Sequence, residues 1–255
     1  MKLLPLLFTI LLAVAIAAFA DSITTTPDSI QPIITTADTI QAADTLQTPE
    51  PVQLDTCREL TEAVYAQVAR ELQVEVAAIK AVVEIEAGVR HKGFVSPGKP
   101  IINFDRTVFV SRLRKAGINE QQARANHPEA FCSLNQRKYG STQLAQYARL
   151  EAAMQIDRKL AIESTFWGMF QIGGFNWRKC GASSLDDFVA KMSKSEPLQL
   201  EMFANFITST GIVKHLRAKN WSAFARAYNG TNYAQRGYHT RLAKAYHKYS
   251  GKSGN

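Results

Sequence analysis

From Thr56 onward, apolar residues return at three- and four-residue intervals, the period of helices with one buried face. Val64, Val68 and Leu72 set the first stripe, and Val76, Ile79, Val82 and Val83 the second. The span Thr56–Glu86 is therefore predicted to form one or two helices. Further helices are expected over Thr107–Ala116, Glu120–Phe131 (broken at Pro128), Ser183–Ser193, Pro197–Thr208, Lys214–Lys219 and Ser222–Ala227. Thr142–Ser164 reads as one long amphipathic helix, with Leu144, Tyr147, Leu150, Met154 and Leu160 spaced for burial. Ala234–Tyr249 closes the chain as a basic helix with Leu242 and Tyr246 inward. Two stretches break the pattern. Gly88–Pro100 holds Gly93, Pro97, Gly98 and Pro100 and reads as a loop. Pro100–Asp105 is a short β-branched run, a strand or extended arm. The fold class is mainly α.

One polar residue sits where the second stripe requires an apolar one. At about 100° per residue, Glu86 falls within about 30° of the centre of the stripe, whereas Glu84 lies about 130° away. Glu86 is thus predicted to point inward and Glu84 toward solvent. A poorly solvated carboxyl has a raised pKa and holds its proton near neutral pH, which is what a general acid needs. The competing reading puts Glu86 in water at a frayed helix end.

The first 55 residues have a different character. Met1–Ala20 carries Lys2, then an apolar run, then Ala18-Phe19-Ala20, the small-x-small pattern of a leader cleaved after Ala20. An uncleaved anchor is the alternative, but the run is short for a membrane span. Asp21–Asp55 is rich in Thr, Asp, Gln and Pro, with no Lys or Arg. It lacks the apolar surface to offset chain entropy and reads as a disordered spacer, or else as a docking segment using its Asp-Ser/Thr-Ile/Leu copies. The domain is assigned to residues 56–255.

Charge sharpens that division. The chain carries a formal +8, loss of Lys2 leaves +7, and the six spacer acids leave +13 on the domain. A unit so basic suits a polyanion: nucleic acid, an anionic membrane surface or cell-wall polymer. An exported protein meets the wall, which disfavours nucleic acid. Cys57, Cys132 and Cys180 allow at most one intramolecular disulfide. The five histidines have no metal-ligand spacing, and neither a phosphate loop nor a nucleophile elbow is present. No metal or cofactor is expected.

The segment from Glu163 to Asn176 crowds an acid, aromatics, three glycines and two amides into fourteen residues. Trp167 and Phe170 could stack on apolar sugar faces while Gln171 binds hydroxyl or acetamido groups; equally, the aromatics could be core beside a glycine-permitted junction. A second polar, aromatic break follows at Tyr228-Asn229-Gly230. Asp105, directly before a helix, is either an N-cap or a functional acid.

Six of these pieces, in order, make the chain resemble the N-acetylmuramidase family of phage endolysins and secreted bacterial hydrolases. They are Val83-Glu-Ile-Glu-Ala87, Pro100-Ile-Ile-Asn-Phe-Asp-Arg106, Gln146-Tyr-x-Arg-Leu-Glu151, Glu163-Ser-x-x-Trp-Gly-Met-Phe-Gln-Ile172, Gly174-Phe-Asn176 and Phe224-Ala-Arg-x-Tyr-Asn-Gly230. The resemblance spans about Val76 to Tyr249. It implies a lysozyme-like, two-lobed helical domain with a catalytic cleft and a short β arm. It also implies Glu86 as catalytic acid, with Gln171, Tyr228 and Asn229 lining the saccharide cleft. Two departures stand out: Asp105-Arg106-Thr107 replaces the family's Glu-Arg-His, and Ala87 replaces a frequent Ser.

The expected function is cleavage of the β-1,4 bond between N-acetylmuramic acid and N-acetylglucosamine in peptidoglycan. Asp105 or Glu163 would serve as a second carboxylate, with the two not ranked. The rivals are a lytic transglycosylase, which forms 1,6-anhydro products with the same acid, and a wall-binding module without catalysis. A monomer, secreted or periplasmic and not inserted in a membrane, is expected.

Overall fold

The computed structural model describes residues 59–87, 93–132 and 142–251, which lie within one compact unit, 52–255. The stretches expected as leader and spacer, and Cys57, lie outside the described residues. The expected helical pair is α1 (Glu62–Leu72) and α2 (Val76–Ala87). Thr61 starts α1 by accepting the Val64 N–H, and Gln73 ends it in a left-handed conformation with φ 56°. Gly93–Pro100, expected as loop, is a small hairpin of β1 (Phe94–Ser96) and β2 (Lys99–Pro100). Gly98, with φ 76°, supplies the left-handed residue that its tight turn needs.

A second correction concerns strand content. β3 (Ile102–Phe104), β4 (Thr165–Trp167) and β5 (Ile172–Gly173) form a three-stranded antiparallel sheet in that order. The aromatic–glycine segment is thus a strand pair rather than a helix–loop junction. Asp105 caps α3 (Arg106–Lys115), followed by α4 (Glu120–Asn126) and a 3-10 turn, Pro128–Phe131.

The helix expected over Thr142–Ser164 is two helices, α5 (Gln143–Ile156) and α6 (Arg158–Glu163). Asp157 breaks it. Its backbone is extended, and its carboxylate accepts the Leu160 N–H at 2.8 Å as the cap of α6. The buried face of α5 also differs from the expected one: Leu144 is 83% exposed, while Gln146 and Arg149 are buried. The free edge of β3 explains the exchange. Gln143 both donates to the Ile102 carbonyl and accepts its N–H, and Gln146 accepts from Phe104 at 3.0 Å. Side-chain amides on α5 thus take the place of a fourth strand.

The remaining elements are a 3-10 segment (Gly174–Cys180), α7 (Leu185–Lys194), α8 (Glu196–Ser209), α9 (Val213–Arg217), α10 (Trp221–Asn229) and α11 (Tyr238–Ser250). One lobe packs α11 along α2 with α1, α8 and α10; the other gathers α3–α6 against the sheet. This is a mainly helical, lysozyme-like fold. Leu242 and Tyr246 face inward as predicted. Among the described residues, no helix is long and apolar enough to cross a membrane.

Candidate active site

The end of α2, the end of α10 and the start of α11 meet around one carboxyl, and Tyr228 ties this group to the Gly168–Gln171 turn. Glu86, in the last turn of α2, accepts a 3.2 Å hydrogen bond from Asn229 Nδ2 at the end of α10. Burial pushes the Glu86 pKa up to about 7; the Asn229 amide and the Arg241 charge on α11 pull it back only in part. A carboxyl so placed is largely protonated below neutrality and can donate that proton.

Tyr228 stands next to it. Its hydroxyl donates to the Phe170 carbonyl at 2.8 Å, tying α10 to the turn, and its ring stacks on Phe224 at 5.9 Å. Burial first, then the Glu86 charge, raise the Tyr228 phenol well above its usual range. Tyr238, at the start of α11, is raised by the same two causes.

Gln171 lies at the far side of the turn. Its backbone is left-handed, with φ 47°, and both its N–H and its side-chain amide reach the Gly168 carbonyl. Gly168 itself has φ 70°, and a Cβ there would sit 2.7 Å from Gln199 Oε1. Gln199, fully buried in α8, accepts from Met169 N–H at 2.8 Å and donates to the carbonyls of Gly93 and Met192. The turn is therefore clamped to the chain that follows α2, in which Gly93 also donates to Glu196 at 3.0 Å.

Two carboxylates named from sequence lie beside each other and apart from this group. Asp105 accepts the Val108 N–H at 3.0 Å as an N-cap, and its own N–H bonds the Ser164 carbonyl. Glu163 is buried and ion-paired with Arg112 at 2.7 Å. Both sit where β3 ends and β4 begins; the Gly168–Gln171 turn is at the other end of β4, roughly 10 Å or more along the strand. Among the described residues, no three His, Cys, Asp or Glu side chains cluster to hold a metal ion.

The N-acetylmuramidase family model matches residues 75–250, most of the chain, including every residue of this group. The chain belongs to that family. The crystal structure of the Burkholderia AP3 phage endolysin is similar, with a TM-score of 0.65 and 37% identity over 76% of this chain and 72% of that one. No curated protein matches. As a muramidase, the chain is a lysozyme-type glycoside hydrolase that acts on peptidoglycan.

Several expectations meet a different geometry in this muramidase. Trp167 is 4% exposed, its indole N–H bonded to the Ile162 carbonyl and its ring edge-on to Phe188. Phe170 is 2% exposed and stacked on Phe203 at 4.4 Å. Neither ring has a face open to a sugar, so both belong to the core beneath the turn. Glu84 does not point into open solvent but binds Lys248 at 2.7 Å and Tyr249 at 2.6 Å on α11. Among the described residues Cys132 and Cys180 are not joined to each other, in keeping with at most one disulfide; Cys57 lies outside them.

Arg241, Tyr238 and Gln199 were not singled out from sequence. Tyr238 was legible, because it precedes the inward Leu242 by one helical turn. Arg241 and Gln199 left no such signal: one is an exposed base among many, and the other an amide inside an apolar run.

Proposed function

We propose that this muramidase hydrolyses the β-1,4 bond between N-acetylmuramic acid and N-acetylglucosamine with Glu86 as general acid. The observation that carries the reading is a half-buried carboxyl whose pKa is raised to about 7 and whose oxygen accepts from the Asn229 amide. Protonated Glu86 gives its proton to the glycosidic oxygen as the C1–O bond lengthens, and positive charge spreads over C1 and the ring oxygen. The Asn229 N–H then stabilises the carboxylate left behind. Water completes the reaction at C1 from the opposite face, which inverts the anomeric centre. The proton of that water passes to Asp105 or Glu163, which are not ranked: Asp105 spends one oxygen on the Val108 N–H and Glu163 one on Arg112.

Gln171, Tyr228 and Asn229 contact the glycan, while Trp167 and Phe170 hold the turn from within. No step calls for a metal or a cofactor. With its leader removed, the protein works as a monomer in the periplasm or outside the cell.

A lytic transglycosylase would share the first step but close the sugar's own 6-hydroxyl onto C1. Its product is lighter by one water. Mass spectrometry of a peptidoglycan digest decides between the two: reducing-end muropeptides are expected, and predominantly 1,6-anhydro products would overturn the hydrolytic step.

A further inference from the structure

A groove of about 570 Å³ runs between α3 and α4, in the lobe opposite Glu86. Arg106, Arg114, Lys115 and Arg124 bring four positive charges to its walls; among the described lining residues, the one carboxylate is Glu120. Thr107, Val110 and Ser111 complete the α3 wall, at helical spacing along one face.

Three of these cations have partners, although Arg114 and Arg124 stay largely in solvent. Glu120 accepts from Arg114 Nε at 2.9 Å with one oxygen and from Arg124 Nη2 at 2.7 Å with the other. Arg124 also lies over the Phe131 ring at 4.6 Å, and Arg106 donates to the Phe131 carbonyl at 3.1 Å. One carboxylate cannot neutralise four cations. These contacts offset part of the cost of ordering the three guanidiniums before any ligand arrives, and their remaining N–H groups suit the tetrahedral oxygens of phosphate.

We infer that the α3–α4 groove is a binding site for a phosphate-bearing glycan of the cell envelope, separate from the bond-cleaving site. The ten residues of α3 give the groove a length of about 15 Å, which fits several units of an extended polymer. Concavity favours such a strand over a flat bilayer surface. Bound there, the polymer would hold the enzyme on the wall while the other lobe cuts.

Calorimetry on the full chain carrying Glu86→Gln reads binding without turnover, so failure of the hydrolytic reading leaves this test intact. The probe is linear tripolyphosphate. We expect saturable binding that weakens by at least about tenfold in an Arg114→Ala/Arg124→Ala variant. It should persist in an Arg178→Ala/Lys179→Ala control, which removes equal charge elsewhere. Unchanged melting of both variants excludes unfolding as the cause. On whole walls, the groove variant of the active enzyme should lose adsorption only where phosphate polymers are present, and should keep its rate on walls stripped of them. Absence of binding, equal loss in the control, or tighter binding to anionic phospholipid vesicles than to tripolyphosphate would overturn the assignment.

Discussion

Glu84 and Glu86 lie two residues apart on α2, so about 200° of helix rotation separates their side chains. One meets the ammonium of Lys248 and a tyrosine hydroxyl; the other meets packed protein and a single amide. The sign of the pH dependence follows. Glu86 has a folded pKa of about 7 against an ordinary 4.5, so between those values the folded state binds more protons than the unfolded. Its contribution to stability is greatest below about pH 4.5, and falls as pH rises toward 7 by an amount on the order of 1–3 kcal/mol. Thermal melts of the Glu86→Gln protein should lack that slope. For kcat, activity should decline as pH passes about 7. Because the Arg241 charge favours the ionised carboxyl, Arg241→Ala should move the alkaline limb upward; a limb that moves down would contradict the assignment of that limb to Glu86. The inward turn of Glu86 was legible from the α2 stripe alone. The hold of α11 on Glu84 was not, because periodicity tells which face a residue occupies but not what a distant helix brings to it.

At the scale of elements, the positions misread from sequence are those where polar groups do structural work. Leu144 looks like core and is exposed, because the α5 face beside β3 must offer amides to an unpaired strand edge. Gln146→Leu would leave the buried Phe104 N–H without a partner and should cost about 1–3 kcal/mol in denaturant unfolding. A neutral result would mean that the edge is satisfied otherwise. The glycines near Trp167 have a related explanation. Gly168 needs its positive φ, and a Cβ at Gly174 would lie 2.1 Å from the Ile162 carbonyl oxygen. They serve turn geometry and close packing beside aromatics of the core. Gly168→Ala should therefore lower stability by about 1–3 kcal/mol and also reduce kcat, since Gln199 and the Gln171 turn must shift to admit the methyl. A loss of stability with full activity would separate the turn from catalysis. Composition could not distinguish these glycines from a sugar platform, because both uses need the same residues; only burial does so.

At the scale of the molecule, six short pieces spread over most of the domain made the family legible, although none is informative alone. Each occupies its own place in one fold: the α2 end, the β3–α3 corner, the α5 face beside β3, the β4–β5 turn, the 3-10 segment after it and the α10 end. The +13 carried from Thr56 onward acts at longer range. Adsorption to intact walls should weaken as ionic strength rises from about 0.01 to 1 M, over which the Debye length shrinks from about 30 to 3 Å. Salt-independent adsorption would make that charge incidental. Beneath all of this lies the claim that one half-buried carboxyl, Glu86, supplies the proton that breaks the glycan. Clearance of a peptidoglycan suspension by Glu86→Gln and Glu84→Gln proteins, both checked for native melting, tests it most directly. The account predicts a loss of at least about a hundredfold for Glu86→Gln and near-full activity for Glu84→Gln. An active Glu86→Gln protein would contradict it.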